Sequence, residues 1–511
     1  PRYSSSAASD VYKRQAMSLA GHLKLKNLIV FFDNNKISID GSTSLSVSDN
    51  YKKRFESYGW SFLEVNGHNE KQISKAITKA SKSKKPTIIS CKTIIGFGSP
   101  NKSGKASSHG SPLGDEEIAL VRKKLKWNNQ PFEVPQEILD EWRNIGNKGE
   151  QLENEWLETV NKKNPKIKSE LNGANEKLDL NGLENLIRQE KDKNFESKPS
   201  LATRQCSMAA IEKISAFLPE LIGGSADLSG SNNTKTNNSK IINSKNFNGN
   251  YIHYGVREHG MAAVMNGLAL YGGIIPYGGT FLIFSDYCKP SIRLSALMGL
   301  KVIYVFSHDS IGLGEDGPTH QPIEQLTGLR AIPNLNVFRP ADINETFECW
   351  EIALKSENTP SAIALSRQKV PYINPSNSKE NKCEKGAYVV NLTSHESNVT
   401  LVASGTEVEL ALKVQDKLKE NNIHSKVVSM PCMELFDKQP EDYRKDILEE
   451  NSLIITLEAG SVMSWQKYIK NKGANLGIDK FGESAPYKEV YKHFKLSEED
   501  ITNFIQKKLR E

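Results

Sequence analysis

The chain of 511 residues lacks several features that would assign it to a class at once. Its six cysteines are scattered without a C-x-x-C pair, which argues against a zinc site or a disulfide framework and fits a reducing cytoplasm. No apolar run approaches the roughly 18 residues of a transmembrane helix, and the first residues lack the apolar core of a signal peptide. No repeat recurs at a fixed period. We therefore expect a globular cytoplasmic protein.

Charge of one sign is not in large excess either. The chain has 67 Lys and Arg residues against 61 Asp and Glu, a net charge of +6. A mixed surface of this kind indicates solvation and does not imply nucleic-acid binding. The apolar fraction of 37% and the charged fraction of 25% are typical of soluble globular proteins. This length allows roughly two to four domains, each with its own core.

Strand-like apolar runs that alternate with helical patterns predict an α/β protein of three successive domains with mainly parallel, doubly wound sheets. We expect the domains at residues 16–114, 198–383 and 384–511, with a charged helical connector at 115–197. The predicted strands lie at 27–32, 60–65, within 86–98, and at 220–224, 273–277, 302–306, 361–365, 399–403, 426–429 and 453–457.

Residues 1–15 have neither a helical nor a strand period. The residues from Ala16 onward have a pattern typical of the second half of a buried helix. This helix leads directly into the apolar, strand-like run at 27–32. A core helix without a cap or a first turn predicts that residues 1–15 are foreign to a protein that has lost its N-terminus. The first domain is accordingly expected to be incomplete.

One stretch, Tyr251-Ile-His-Tyr-Gly-Val-Arg-Glu-His-Gly260, places Glu258 between two glycines at an expected strand-to-helix turn. The small residues at 261–269 then predict a buried helix. A carboxylate among apolar neighbours has a raised pKa and can take part in proton transfer. Taken alone, the stretch favours a plainer interpretation, an acid that binds free N–H groups at a helix N-terminus.

Two further motifs follow, Pro276-Tyr-Gly-Gly-Thr-Phe-Leu-Ile-Phe284 and His308-Asp-Ser-Ile-Gly-Leu-Gly-Glu-Asp-Gly-Pro-Thr-His-Gln-Pro322. The three motifs in this order resemble the pyrimidine-binding half of the transketolases, and the resemblance extends from about Ala16 to the C-terminus. It implies the thiamine diphosphate-binding fold and a homodimer with active sites between subunits. It also implies a reaction of the pentose phosphate pathway, the reversible transfer of a two-carbon ketol group from a ketose phosphate to an aldose phosphate.

The resemblance implies a magnesium or calcium ion held by oxygen ligands beside the cofactor's diphosphate. The matching positions are the Asn35 side chain and the Ile37 carbonyl, with Ile39 near the cofactor. From the residues alone, this Asp-Asn-Asn sequence is typical of an ordinary β-turn. The family's charged metal ligand falls on Ser5, and a Glu that pairs with the cofactor-binding acid across the dimer falls on Asp10. The resemblance thus also implies a weakened cofactor site.

At the cofactor's pyrimidine ring, the resemblance implies Glu258 as the catalytic carboxylic acid, a role that needs a secluded site. Phe284 is implied as the stacking ring, with Phe281 and Tyr287 as its neighbours. These aromatics are three residues apart and are expected on one helical face, where such a stripe is ordinarily part of a core. Asp227 is implied to touch the cofactor or to order its loop.

Substrate binding calls for cations and hydroxyls at phosphate and for neutral donors at sugar hydroxyls. The matching positions are Arg204, Ser231, His308 and Arg367 for phosphate, Asp316 and His320 for hydroxyls near the reacting carbon, and His109 for diphosphate and substrate. His320 is thereby also implied in catalysis. Singly, each is typical of a surface ion pair or a structural histidine. Their place after strand ends, where doubly wound sheets bind ligands, favours a site.

Three hypotheses remain open from the sequence. The first is transketolase activity. The second is a related thiamine diphosphate transferase, such as a dihydroxyacetone or deoxyxylulose phosphate synthase. The third is a catalytically inactive truncated fragment that serves at most as a dimerisation or binding module. The phosphate and hydroxyl contacts that the resemblance implies favour sugar phosphates as both donor and acceptor.

Overall fold

The computed structural model describes residues 13–163, 180–374, 379–394, 397–449, 451–469 and 473–511. These residues form two compact units, an N-terminal unit at 13–163 and a C-terminal unit from residue 180 onward. The expectations for Ser5 and Asp10 lie outside the described residues.

The N-terminal unit is built on a parallel three-stranded sheet in the order β1-β5-β4. Its strands are β1 (Ile29–Asn34), β2 (Ile37–Ser38), β3 (Gly41–Ser42), β4 (Ser61–Asn66) and β5 (Thr87–Lys92). Its helices are α1 (Lys13–His22), α2 (Tyr51–Ser57), α3 (Glu70–Ser81), α4 (Asp115–Leu125) and α5 (Gln136–Lys163). Strands β2 and β3 form a separate antiparallel ladder.

Strand β5 shows why this sheet is covered on both faces. Successive side chains of a strand point to opposite sides. Ile88 packs with Trp60 and with residues of α1 and α2, whereas Ile89 packs with Val65 and with alanines of α3. The apolar run predicted near residue 86 is therefore a buried central strand of a doubly wound sheet.

The C-terminal unit contains a second, wholly parallel sheet of six strands in the order β11-β12-β10-β9-β7-β8. These strands are β7 (Leu221–Ser225), β8 (Tyr251–His253), β9 (Ile275–Phe281), β10 (Ile303–Ser307), β11 (Asn336–Phe338) and β12 (Ser361–Leu365). The antiparallel pair β6 (Leu201–Ala202) and β13 (Lys369–Val370) lies outside it. The helices up to β13 are α6 (Leu183–Ser197), α7 (Thr203–Phe217), α8 (Ser229–Asn232), α9 (Glu258–Tyr271), α10 (Ser285–Leu297), α11 (Gln325–Arg330) and α12 (Ile343–Lys355).

One face of the six-stranded sheet is covered by α7 and α12. Trp350 of α12 is fully buried in this core, and its indole N–H donates to the Ser207 hydroxyl of α7 over 2.9 Å. Strand β7 has glycine at position 223 because a Cβ there would come within 2.1 Å of the Tyr277 ring on β9. The glycine thus allows an aromatic side chain to lie across a neighbouring strand.

A five-stranded sheet completes the C-terminal unit, in the order β14-β16-β15-β17-β18. Its strands are β14 (Tyr388–Leu392), β15 (Val399–Ala403), β16 (Ser425–Ser429), β17 (Leu453–Leu457) and β18 (Ala474–Leu476). The remaining helices are α13 (Glu407–Glu420), α14 (Met433–Asp437), α15 (Glu441–Leu448), α16 (Tyr487–His493) and α17 (Glu498–Lys508). Only the edge strand β14 runs antiparallel to its neighbour among the described strands of this sheet. The predicted α/β class with mainly parallel sheets is confirmed.

Candidate active site

The carboxyl edge of the six-stranded sheet carries most of the predicted site residues. Phe281, Ser307 and Leu365 end β9, β10 and β12 and are paired in a single row across the sheet. His308 follows Ser307 directly, and Arg367 comes two residues after Leu365. Loops after β7 and β8 bring Asp227, Ser231 and Glu258 to the same edge. This is the edge at which parallel sheets bind ligands.

Glu258 is the first residue of α9, and its side chain is buried. Burial raises the pKa of its carboxyl, a hydrogen bond from its own backbone N–H opposes this rise, and the nearby Asp227 carboxylate adds to it. Both interpretations of the sequence therefore hold, since Glu258 is a helix N-terminal acid and also a secluded one. The surroundings favour a carboxyl that keeps a proton more readily than an exposed glutamate.

Three aromatic rings form a stacked column beside this acid's helix. The Phe281 and Phe284 rings lie 5.7 Å apart between centroids with an 11° interplanar angle, and Phe284 and Tyr287 lie 5.7 Å apart at 24°. The prediction that all three share one helical face is wrong. Phe281 ends β9, Phe284 lies in a short 3-10 turn, and Tyr287 belongs to α10. The strand extends to Phe281 because its backbone pairs with β10 at Ser307, so the helix begins only afterwards.

His308 is buried at the centre of the sheet edge, in a left-handed backbone conformation (φ 61°) that few non-glycine residues adopt. Its ring lies 3.8 Å from that of Phe281 between centroids, and its Nδ1 is 2.9 Å from the Ser307 hydroxyl. Burial lowers the pKa of the imidazole to about 3, and the positive charges of Arg204, Arg367 and His320 contribute. The ring is therefore neutral near pH 7.

The two arginines predicted to bind phosphate lie close enough to influence each other. Burial and the nearby Arg367 charge lower the pKa of Arg204. Arg204 donates from Nη1 to the Ser231 carbonyl over 2.7 Å, while its buried Nε has no hydrogen-bond partner among the described residues. Two guanidiniums within electrostatic reach of each other, one with an unused buried donor, suit an anionic group such as phosphate.

Two hydroxyl residues that were not predicted from the sequence, Thr203 and Ser366, fix the backbone next to these arginines. The backbone N–H of Thr203 donates to the Ser366 hydroxyl over 3.0 Å, and that of Ser366 donates to the Thr203 hydroxyl over 2.7 Å. Both side chains are buried. Each residue immediately precedes one arginine of the pair, so the reciprocal bonds fix the backbones that carry Arg204 and Arg367. A hydroxyl residue before each arginine was the only signal in the sequence.

His320 lies at the edge of the aromatic column, with its ring centroid 5.6 Å from that of Phe284 in an edge-on arrangement. Its Nδ1 is 3.0 Å from the Thr319 hydroxyl. Asp316 is exposed in the same loop. Gln321, also missed, anchors this loop, because its Nε2 donates to the carbonyls of Gly314 over 2.8 Å and of Glu483 over 2.9 Å.

The remaining predicted residues belong to the N-terminal unit. The Asn35 side-chain oxygen accepts from the Ile37 N–H over 2.9 Å, which closes a turn directly after β1. Ile39 is 72% exposed in the next turn, between β2 and β3, while His109 is exposed in a separate loop after a 3-10 turn at Ala106–Ser108. The described residues contain no group of three or more His, Cys, Asp or Glu that could hold a metal. Asn35 and Ile37 offer two neutral oxygens, which suit a hard cation only alongside anionic oxygens.

Three family models match the chain in succession. They are the transketolase thiamine diphosphate binding domain at residues 9–179, the transketolase pyrimidine binding domain at 199–372, and the transketolase-like C-terminal domain at 386–497. The first match begins inside the segment 1–15 that the sequence analysis set apart. It also includes much of the helical region from residue 115 onward.

Individual relatives agree with these models. The chain is 46% identical over 494 residues to a transketolase of Sinorhizobium medicae, covering 95% of this chain and 70% of the relative. It is 42% identical to a transketolase of Aquifex aeolicus, covering 97% and 71%. Among solved structures, transketolase from Leishmania mexicana superposes with a TM-score of 0.90 at 36% identity, covering 98% of this chain and 74% of that one. The Campylobacter jejuni transketolase gives 0.88 at 38% identity, with 98% and 76% covered.

The fold, the sheet edge and these matches define a transferase with thiamine diphosphate-binding and pyrimidine-binding domains. The chain belongs to the transketolase family. The resemblance seen in the sequence is thus confirmed, together with the three-domain α/β fold. No helix in the described part of the chain is long and apolar enough to cross a membrane.

The neutral state of His308 predicts a distinct pH dependence of stability. Its pKa falls from 6.5 to about 3 on folding, so below pH 6.5 the unfolded chain binds a proton that the folded protein does not. Relative to His308→Asn, which tolerates the left-handed backbone, the wild type should lose about 2 kcal/mol of unfolding free energy between pH 6.5 and pH 5. Denaturant titrations at both pH values measure this difference, with the exposed His424→Asn as control. Parallel pH profiles for wild type and His308→Asn would contradict the assignment.

Proposed function

We propose that this chain catalyses the reversible transfer of a two-carbon ketol unit from a ketose phosphate to an aldose phosphate. The proposal rests on one observation, the electrostatically coupled guanidiniums of Arg204 and Arg367 at the same sheet edge as the secluded carboxyl of Glu258. The reaction belongs to the pentose phosphate pathway. A cytoplasmic location is supported by six cysteines that are all buried and unpaired, as a reducing compartment permits.

Glu258 and the aromatic column are proposed to bind the cofactor's pyrimidine ring. When bound, thiamine diphosphate supplies the electron sink needed to break and form bonds next to a carbonyl. Glu258 is proposed to share a proton with a ring nitrogen, a role that the raised pKa of its carboxyl favours. Phe284 presents an aromatic face already aligned with Phe281 and Tyr287, which suits a flat ring. Asp227, whose carboxylate contributes to the raised pKa of Glu258, is proposed to touch the cofactor or to order its loop.

Arg204, Arg367, His308 and Ser231 are proposed to bind the substrate phosphate. The guanidiniums supply the charge, and the neutral imidazole supplies a directional hydrogen-bonding group without adding a third charge. His320 and Asp316 are proposed to contact the sugar hydroxyls, His320 near the reacting carbon. Its place at the edge of the aromatic column supports this role. The His320 ring lies near Phe284, which is proposed to bind the pyrimidine ring, and near Phe281, which packs against His308 of the proposed phosphate site.

A magnesium or calcium ion is proposed at the turn after β1, bound by the Asn35 side-chain oxygen and the Ile37 carbonyl. These two oxygens are neutral, so anionic oxygens of the cofactor's diphosphate must supply the charge that a hard cation needs. Ile39 is proposed to pack near the cofactor, because an isoleucine with 72% exposure lacks protein cover there. His109 is proposed to contact the diphosphate and the substrate.

Calorimetric titration of thiamine diphosphate, with magnesium present, tests the cofactor proposal. The wild type should bind saturably, and Glu258→Gln should weaken binding about tenfold or more because it removes a hydrogen bond with a shared proton. Glu212→Gln is the matched control, a half-buried carboxylate of α7 that binds the backbone N–H of Asn237. Absence of binding by the wild type would overturn the proposal, as would equal affinities for Glu258→Gln and the control. Transfer assays on the same samples then test the activity.

The phosphate contacts predict a selective kinetic effect. Arg367→Ala should raise KM for a ketose phosphate about 10-fold to 100-fold, since a charged contact is lost, and should leave kcat nearly unchanged. With an unphosphorylated α-hydroxyketone as donor, the variant and wild type should be alike. Arg510→Ala, at an exposed position near the C-terminus, controls for a general loss of positive charge. Equal losses with both donors would assign Arg367 a different role.

We further propose a homodimer with active sites between subunits. Helices α9 and α10 of the C-terminal unit carry large exposed apolar side chains, among them Leu270 (61% exposed), Tyr271 (71%) and Leu297 (58%). Exposed apolar patches of this kind mark interaction surfaces. Glu258 is the first residue of α9, and Tyr287 lies in α10. A second copy that covers these two helices would therefore also cover the region around both residues.

Sedimentation velocity tests the dimer. The wild type should sediment as a dimer at micromolar concentration, and the double variant Leu270→Asp/Leu297→Asp should shift toward monomer because it places charges in an apolar interface. Met463→Asp, at a residue 70% exposed elsewhere in the unit, should leave the dimer intact. A monomeric wild type would refute the proposed assembly.

A further inference from the structure

The residue after His308 joins the phosphate site to the five-stranded sheet. Asp309 is 2% exposed, and its carboxylate accepts from Nε of Arg339 over 2.9 Å. Arg339 directly follows β11 and is fully buried. The imidazole at the sheet edge is therefore one residue away from an ion pair that solvent does not reach.

The far side of Arg339 contacts the third domain. Its Nη1 donates to the Ser404 carbonyl over 2.9 Å and to the carboxylate of Glu407, the first residue of α13. Its backbone carbonyl accepts from the N–H of Gly405 over 2.9 Å. A Cβ at Gly405 would come within 2.8 Å of the Arg339 side chain, so this loop closes tightly over the guanidinium.

A buried cluster of charges is by itself weak evidence for added stability. Burial alone lowers the pKa of Arg339, and the carboxylates of Glu407, Asp309 and Glu458 more than reverse this effect. Buried ion pairs are costly to desolvate, and apolar replacements are often as stable. What such a pair does supply is a fixed orientation, because a guanidinium donates hydrogen bonds to a carboxylate only at defined angles. In this protein the ion pair fixes the orientation of Asp309, whose backbone is bonded directly to that of His308.

We propose that Asp309, Arg339 and Glu407 form a positioning chain through which the third domain holds the His308 ring in place. The backbone at His308 is in a conformation that non-glycine residues keep only when their surroundings impose it. Asp309 supplies that constraint on one side and the Phe281 ring packs against the imidazole on the other. The consequence for ligands rests on the proposed function, in which His308 binds phosphate.

Two readouts test the positioning chain in the 511-residue protein. The first is the Cε1–H resonance of His308 in histidine-labelled protein, assigned by its loss in His308→Asn. The second is the affinity for inorganic phosphate by calorimetry. Asp309→Ala leaves Arg339 paired with Glu407, so the protein should fold. Asp309→Asn preserves an acceptor for Arg339, and Glu407→Gln alters the chain at its distant end.

We expect Asp309→Ala to shift or broaden the His308 resonance and to weaken phosphate binding about tenfold. Asp309→Asn, which keeps an acceptor for Arg339, should leave both readouts near their wild-type values. Glu407→Gln should move the resonance in the same direction as Asp309→Ala. Glu348→Ala is the matched control, since Glu348 forms a buried ion pair with Lys191 away from the site. It should lower the melting temperature without moving the His308 resonance.

The positioning chain is refuted if the His308 resonance is unchanged by Asp309→Ala and Glu407→Gln, or if Glu348→Ala moves it equally. Failure of the proposed function gives a different pattern. In that case the wild type binds no phosphate, while the resonance still responds to Asp309→Ala and Glu407→Gln, and this response supports the chain by itself.

Discussion

Parallel pairing of β9, β10 and β12 places the residues that follow each strand side by side. Phe281, Ser307 and Leu365 share a row across the sheet. The imidazole of His308 therefore packs against the Phe281 ring, and the positive charge of Arg367 lowers its pKa. The hydroxyl pair at Thr203 and Ser366 then brings Arg204 to the same place. In antiparallel strands these segments would leave from opposite edges. The direction of the strands is therefore the condition on which the site depends.

Features that rest on local sequence were predictable. The strands at 361–365, 399–403 and 453–457 appear at the predicted residues, because continuous apolar runs are typical of strands buried on both faces. The turn before Glu258 was predictable for a similar reason, since glycines and a small-residue helix mark it within ten residues. The column of Phe281, Phe284 and Tyr287 was not. A spacing of three fits a helix, yet strand pairing with β10 governs the first of these positions.

Features that join distant parts of the chain were out of reach. Asp309 and Arg339 lie 30 residues apart, and Gln321 contacts Glu483 across 162 residues. Neither pair has a spacing or composition that distinguishes it from surface residues. The strand β11 has only three residues, too few for a period of two to show. The family resemblance supplied the candidate substrate contacts, whereas the structure added the residues that hold them.

The neutral ring of His308 has a consequence for how the proposed phosphate site would respond to acidity. Burial and two guanidiniums already keep this imidazole unprotonated. Binding of an anion would therefore involve no proton exchange with His308. Affinity would instead follow the ligand's own second ionisation, which for a phosphate monoester has a pKa of about 6. Mild acidification would thus limit substrate capture by changing the sugar phosphate, while the protein half of the contact stays as it is.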